Sequence, residues 1–317
     1  MSKGDTVLLS VVVPVFNEED NIPELLRRLV GAVRAVGQPA ELVFVDDGSS
    51  DGTLQALRRF SSDMVEVVIV ELARNFGQHA AVMAGFSKCR GEIVVTLDAD
   101  LQNPPEEIPR LVAKMQEGYD VVGTIRKDRD DPYLRRLASR VVNKVVARTT
   151  GHNLHDYGCM LRAYSRQTVQ AMLACPERQT FIPALAMVVA RKATEIEVDH
   201  AARTKGKSKY SIRKLLRLNL DLMMGFTSIP LQMVSGTGLA IAAVGIAFSA
   251  YLILRRLFVG PEVEGVFTLF AVLFFFVGVQ IMALGLVGEY IARMYEEIRG
   301  RPRYIIRSIS STVGDHQ

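Results

Sequence analysis

Cysteine is scarce in this chain, three in 317 residues. Cys89, Cys159 and Cys175 form no C-x-x-C pair, so neither a disulfide framework nor a thiolate zinc site is expected, and a reducing compartment fits. His79, His152, His155 and His200 are scattered and suggest no metal triad. No G-x-G-x-x-G follows the first apolar run, which leaves a dinucleotide site unsupported. Gly206-Lys207-Ser208 resembles the end of a P-loop, but Ala201 stands where its first glycine belongs and no strand precedes it. Charge of either sign is missing from residues 231–254 and 265–288, 24 positions each. With 49% hydrophobic and 23% charged residues, an intrinsically disordered chain is excluded. A secretory leader is not expected, because residues 1–6 are polar and 7–15 are too short an apolar run, without a basic leader or cleavage site.

The two uncharged runs each exceed the ~20 residues that carry an apolar helix across a bilayer. Residues 255–264, with Gly260-Pro261, are short enough to make them a hairpin. Cations flank the pair: Lys205, Lys207, Lys209, Arg213, Lys214 and Arg217 before it, Arg293, Arg299, Arg301, Arg303 and Arg307 after it. The connecting stretch has only Arg255 and Arg256. By the positive-inside rule both termini lie in the cytoplasm. Ile212, Leu215, Leu216, Leu220, Met223 and Met224 recur at helical spacing among Arg213, Lys214 and Arg217, which predicts an amphipathic helix on membrane lipids. The expected organisation is a cytoplasmic domain over 1–200, a juxtamembrane loop and interface helix over 201–230, a transmembrane hairpin over 231–288 and a basic cytoplasmic tail over 289–317.

Within residues 7–200, apolar β-branched runs at 7–15, 42–45, 65–70, 93–97 and 121–122 read as strands. Helical patterns fall at Ile22–Val36, 77–90, 106–117 and 133–150. Strands apolar throughout and alternating with helices predict an α/β fold, a parallel sheet covered on both faces. Ligands of such sheets gather beyond the carboxyl ends of the strands, and the polar signals fall there. The first strand ends in Pro14-Val15-Phe16-Asn17-Glu18-Glu19, the second in Asp46-Asp47-Gly48-Ser49-Ser50-Asp51-Gly52-Thr53, the fourth in Asp98-Ala99-Asp100-Leu101-Gln102.

Asp98 and Asp100, two apart in extended geometry, point the same way and could share one hard cation with a diphosphate; Gln102 has the same parity. Asp47 belongs to the second cluster, at what is read as a neighbouring strand end, and the coincidence favours a nucleotide-sugar and metal site. Arg126 follows the fifth strand. Arg135 and Ser139 share a helical stripe. Arg203, Ser208 and Lys209 lie in a glycine-containing loop before the interface helix. Arginine suits phosphate through its bidentate fork, and a phosphorylated ligand arriving from the bilayer would meet these cations first. Asp156 could be a base, an orienting group or a turn former.

In this order, the motifs Pro14-Val-Phe-Asn-Glu, Asp46-Asp-Gly-Ser-Ser-Asp-Gly-Thr, Asp98-Ala-Asp-Leu-Gln, Arg203-x-x-Gly-x-Ser-Lys and two spans resemble the polyprenyl-phosphate glycosyltransferases of glycosyltransferase family two. Asn75-Phe-Gly-Gln-His, Asp156-Tyr-Gly-Cys-Met-Leu-Arg-Ala-Tyr, Phe181-Ile-Pro and Arg301-Pro-Arg-Tyr make the chain most similar to the branch that transfers 4-deoxy-4-formamido-L-arabinose to undecaprenyl phosphate, for lipid A modification and polymyxin resistance. Lys207 departs from the pattern, which has an acidic residue there.

The resemblance implies a GT-A type Rossmann-like sheet, a UDP-sugar donor, a polyprenyl phosphate acceptor, and Mg²⁺ or Mn²⁺ on Asp98, Asp100 and Gln102. It implies inversion at the anomeric carbon, a homo-oligomer (several bacterial members are tetramers) and a place in the bacterial inner membrane. Pro14 and Asp47, with Phe16 and Glu18 beside them, would hold the nucleotide. Arg126, Arg135, Ser139, Arg203, Ser208 and Lys209 would hold the acceptor phosphate, and Asp98, Asp100 and Asp156 would be catalytic.

Rivals are a glucosyl or mannosyl transferase of the same family, a processive polysaccharide synthase, and a membrane sugar-nucleotide sensor without activity. The second needs a Q-x-x-R-W motif, and the chain has no tryptophan. A nucleic-acid binder is not expected, because the cations cluster at the membrane side and aspartates line the cleft.

Overall fold

The computed structural model describes residues 7–60, 65–126, 159–175, 181–198, 229–259 and 266–311. They fall into two compact units, one built on a sheet and one of two long helices. In chain order the first unit contains β1 (Leu9–Val15), α1 (Ile22–Val36), β2 (Ala40–Asp46), α2 (Thr53–Arg59), β3 (Glu66–Leu72), α3 (Gln78–Phe86), β4 (Ile93–Thr96), a 3₁₀ turn (Pro105–Glu107), α4 (Ile108–Gln116), β5 (Val121–Arg126), β6 (Arg162–Ser165), α5 (Arg166–Ala174), α6 (Ile182–Val189), β7 (Ala193–Val198) and β8 (Ile306–Ser311). The sequence places α1 and the first four strands well, because their β-branched and 3.6-period patterns are uninterrupted. The helix expected over 133–150 and the interface helix over 201–230 lie outside the described residues.

The strands form one sheet in the order β7-β5-β6-β4-β1-β2-β3-β8. It is mixed, not parallel throughout. β1 to β4 run parallel, but β6 is antiparallel to both β4 and β5, and β8 is antiparallel to β3. β6 escapes a search for apolar runs because it has four residues and opens on Arg162, which is wholly buried. β8 escapes because Ile306 and Ile309 stand three apart, out of the two-residue strand period, among arginines. Within the segment expected as a basic tail, the second long helix runs on to Ile298, and 306–311 complete the sheet.

Helices cover both faces, as expected. Leu25, Leu26, Leu29 and Val33 of α1 join Leu111, Val112 and Met115 of α4 over the face bearing Val11, Val13, Phe44 and Val95. α3 packs on the opposite face of β1 and β2. There a Cβ on Gly85 would stand 2.4 Å from Val12 Cγ1 and 3.1 Å from Val45 Cγ2. The helix can lie this close only because that position has no side chain.

The second unit is α7 (Ile229–Val259) and α8 (Val266–Ile298), a helix pair where a hairpin is expected. Among the described residues one segment, Phe275–Ala292 of α8, is long and apolar enough to cross a membrane, and none of it is buried. The apolar stretch of α7 is shorter, Val234–Gly245. The second of the two expected spans therefore has a matching segment, and the first does not.

Gly85→Val tests the packing of α3. Overpacking should lower stability by about 1–3 kcal/mol, more than the few tenths that valine gains over glycine in a helix. Urea unfolding of the detergent-solubilised protein, followed by circular dichroism, measures it.

Candidate active site

Direction of travel decides where the polar residues go. β4, β1 and β2 are parallel neighbours, so their carboxyl ends share one edge of the sheet. β2 and β4 flank β1 instead of adjoining one another, so the two aspartate clusters stand on either side of the Phe16-Asn17 turn. β6 is antiparallel to β4 and β5 is antiparallel to β6, so β5 ends at Arg126 on this same edge and β6 begins there. β7 is parallel to β5 and also ends there, at Val198.

The loop after β1 is fastened to the loop after β2. Asn17 takes a left-handed φ of 56°. It donates its N–H to Ser49 Oγ at 3.0 Å, and its Oδ1 accepts from the Ser50 N–H at 2.8 Å. Glu18 donates its N–H to Thr53 Oγ1 at 2.8 Å, and the Gly52 N–H reaches Glu19 Oε2 at 2.9 Å. The Glu18 carboxylate accepts from Asn21 Nδ2 at 2.5 Å. Pro14 is half-buried near the end of β1, where its missing N–H costs no interior ladder bond. Phe16 is 45% exposed and presents its ring at the edge.

Asp47 is only 3% exposed. Its carboxylate accepts the N–H groups of Phe76 at 2.7 Å and Gly77 at 2.8 Å, binding the loop after β3 to the loop after β2. Gly48, at φ 73°, lies so close that a Cβ would fall 2.7 Å from the Arg74 carbonyl carbon. Arg74 sits over the Phe76 ring, 4.3 Å from its centroid. Burial pushes the Asp46 and Asp47 carboxyls above their ordinary value, partly offset by the groups that donate to them from Ser49, Phe76 and Gly77.

The second aspartate pair departs from the extended geometry expected of it. β4 ends at Thr96, and residues 99–100 form a turn. Leu101 comes next with φ 59°, a conformation that costs a branched side chain energy and is concentrated at functional sites. Asp98 and Asp100 are half-exposed on either side of buried Ala99. Asp98 Oδ1 accepts from Gln78 Nε2 at 2.5 Å, and Asp100 Oδ1 accepts the Gln102 N–H at 3.1 Å. Gln102 thus meets Asp100 through its backbone. Two half-exposed carboxylates suit a hard divalent cation whose remaining oxygen ligands come from a bound diphosphate and water. No group of three or more His, Cys, Asp or Glu among the described residues offers a closed cage instead.

A buried chain backs this turn. Thr124 Oγ1 donates to the Leu161 carbonyl at 2.8 Å and lies 2.9 Å from Cys159 Sγ, which approaches Asn103 Oδ1 at 3.5 Å. Arg162 Nε donates to the Cys159 carbonyl at 2.9 Å.

The profile of glycosyl transferase family 2 matches residues 10–173, just over half of the chain and all of the edge described above except its last strand. The chain belongs to glycosyl transferase family 2. A second profile, the GtrB C-terminal hairpin, matches residues 229–294, the two long helices. Over 98% of this chain and 96% of the relative, it is 53% identical to the undecaprenyl-phosphate 4-deoxy-4-formamido-L-arabinose transferase of Edwardsiella ictaluri. The protein of that name from Klebsiella pneumoniae is also 53% identical, over 95% and 93%. In fold, this family 2 chain is similar to glucosyl-3-phosphoglycerate synthase from Mycobacterium tuberculosis, solved with Mn²⁺, UDP and glucosyl-3-phosphoglycerate. The TM-score is 0.52 at 18% identity, covering 69% of this chain and 78% of that one.

Of the residues expected in the site, Pro14, Phe16, Glu18, Asp47, Asp98, Asp100 and Gln102 meet at the edge, as does the backbone of Arg126. Arg135, Ser139, Asp156, Arg203, Ser208 and Lys209 lie outside the described residues. Sequence reasoning missed Gln78 and the Phe76 and Gly77 amides as partners of the aspartates. The signal was present in Asn75-Phe-Gly-Gln-His, where Gly77 adopts φ 94° to start α3.

Asp47→Ala should strip two amides of their acceptor and cost about 1–3 kcal/mol, read as a lower urea midpoint. The sign of the pH effect comes from the raised carboxyls. Because the folded chain binds these protons more tightly than the unfolded one, Asp46 and Asp47 weaken folding as pH climbs from the ordinary 3.8 through their raised values. Asp47→Asn should make the urea midpoint fall less steeply over that range.

Proposed function

We propose that the protein transfers 4-deoxy-4-formamido-L-arabinose from its UDP conjugate to undecaprenyl phosphate, with inversion, at the cytoplasmic face of a bacterial inner membrane. The observation that carries this reading is the convergence at one sheet edge. The β1 and β2 loops, the Asp98–Asp100 turn, the end of β5 at Arg126, the start of β6 soon after Asp156, and the end of β7 shortly before Arg203 all open there. The donor-side residues lie at this edge, and the proposed acceptor-side residues Arg135, Ser139, Arg203, Ser208 and Lys209 follow β5 and β7 in the sequence. The similarity to the arabinose transferases over nearly the whole chain supports the choice of sugar and lipid. The departure at Lys207 favours, as a second reading, a hexose of the glucosyl or mannosyl type carried to the same class of acceptor in place of the pentose.

Phe16 and Pro14 would border the base, and Asp47, through the Phe76 and Gly77 amides, would shape the nucleotide cradle. Asp98 and Asp100, with Gln102, would hold Mg²⁺ or Mn²⁺, which when bound offsets the charge of the diphosphate and of the leaving UDP. The acceptor phosphate is mostly dianionic near neutral pH, with a second pKa of ~6, so it attacks the anomeric carbon without a strong base. Bringing two anions together is the harder task. Arg126, Arg135 and Arg203, with Ser139, Ser208 and Lys209, would neutralise and aim the lipid phosphate, so that the chain catalyses by positioning and electrostatics. Asp156 suits an orienting role better than a basic one. Both long helices would span the bilayer with the flanking arginines and lysines inside, and a homo-oligomer would share that membrane anchor. The product would serve lipid A modification and polymyxin resistance.

Incubation with short-chain polyprenyl phosphate and a panel of UDP-sugars, with mass spectrometry of the lipid, tests the reaction. No glycosylated lipid from any donor would leave the sugar-nucleotide sensor. Asp100→Asn should abolish transfer while the protein still inserts and folds; near-wild-type turnover would remove the carboxylate pair from the chemistry. In Arg203→Ala the KM for the lipid should rise about tenfold, far more than that for the UDP-sugar. Equal rises would contradict the assignment to the acceptor.

A further inference from the structure

β8 comes after both long helices in the chain, yet it pairs along the outer edge of β3, opposite Val68, Ile69, Val70, Glu71 and Leu72. The pairing is broken at one point. Ser308 stands opposite Glu71 and Ile306 opposite Leu72, so Arg307 is the extra residue of a β-bulge. A bulge turns a strand locally and re-aims its side chains. Here it lets two successive residues reach one carboxylate. Arg307 Nη1 donates to Glu71 Oε1 at 3.0 Å, and Ser308 Oγ donates to Glu71 Oε2 at 2.9 Å. Arg58, at the end of α2, donates to Glu71 Oε2 from the other side at 3.0 Å. The Glu71 side chain is mostly buried, so three donors converge on a carboxylate with little access to water.

The cluster sits at the root of the loop after β3. Ala73, two residues beyond Glu71, donates its N–H to the Ile305 carbonyl at 2.9 Å. Arg74, Asn75, Phe76 and Gly77 come next. Their backbone lies against Gly48 and supplies the two amides that close on Asp47. Arg58 belongs to the helix that the 46–53 loop leads into. The C-terminal segment is therefore bonded to the root of the β3 loop through Ile305 and Glu71, and Arg58 brings α2 onto the same carboxylate.

We infer that the C-terminal strand, through Arg307 and Ser308 on Glu71, is a positioning element for the nucleotide moiety of the donor. Arg307 touches neither substrate nor reacting atoms; it acts on the β3 loop that carries the Phe76 and Gly77 amides. An ion pair whose arginine is as exposed as this one adds little stability, whereas a small displacement of the loop would misalign the cradle. The inference rests on the reading of these two loops as the UDP site.

The test uses the full-length protein in detergent, with UDP binding by calorimetry and steady-state kinetics against both substrates. In Arg307→Ala the Kd for UDP and the KM for the UDP-sugar should rise about tenfold, with kcat and the KM for polyprenyl phosphate unchanged. Ser308→Ala should show the same split with a smaller rise, and Arg307→Lys should restore part of the loss. A merely structural role would move both KM values and the unfolding midpoint together. Wild-type UDP affinity in Arg307→Ala, or parallel rises for both substrates, overturns the inference. If Arg307→Ala does not fold, the comparison of Ser308→Ala with wild type decides in the same terms. Absence of UDP binding by the wild-type protein would instead overturn the donor-site reading beneath it.

Discussion

Parallel pairing of β1 with β2 on one side and β4 on the other is the constraint on which the rest of the site depends. A parallel ladder leaves its carboxyl ends side by side, and a chain that must return for each strand places a helix after every loop. Three sequence-distant loops are thus delivered to one edge without any long connection reaching across the molecule. Beyond β4 the antiparallel β6 begins at that edge, and β5 and β7 end there. A sheet reversed at β4 would send Asp98 and Asp100 to the end of the lobe away from Asp47.

The loops so delivered are held by hydrogen bonds between backbone and short polar side chains. Asp47 is the centre of this fastening, because its buried carboxylate can be tolerated only if donors surround it. Phe76 and Gly77 supply them, partly offsetting the burial that raises the carboxyl. Asn17, Ser49, Asp51 and Thr53 repeat the arrangement on the other side of β2, between the β1 and β2 loops. Rigid loops at the ends of strands suit a reaction that, on the reading favoured here, depends on charge placement more than on acid–base exchange. Asp98 and Asp100 stay half-exposed beside them, able to meet a ligand from outside the chain.

The far side of the sheet has its own logic. β3 would be an exposed edge with unpaired N–H and C=O groups, a hazard for association with other chains. β8 covers it with residues drawn from beyond the long helices. The same strand that closes the edge also bonds to Glu71 and Ala73, so protection of the sheet and support of the β3 loop come from one element.

Much of this was legible in the chain. The apolar β-branched runs, the 3.6-period of α1, the three acidic or asparagine-rich strand ends and the two uncharged stretches each specify a local state through the composition of a few neighbouring residues. A family resemblance carried by several motifs in fixed order pointed to the same chemistry. What lay beyond reach was set by distant partners. Arg162 carries a charge and yet is buried at the start of β6, and Ile306–Ser311, in the segment expected as a basic tail, find an unpaired edge far away in the sequence. Asp98 and Asp100 looked like alternating strand residues, yet the ladder stops at Thr96 and the turn sets their positions. Local patterns fix which segments become helix or strand; which strand lies beside which, in what sense, and which carboxylate receives which amide are settled only when the folded chain satisfies its buried polar groups together.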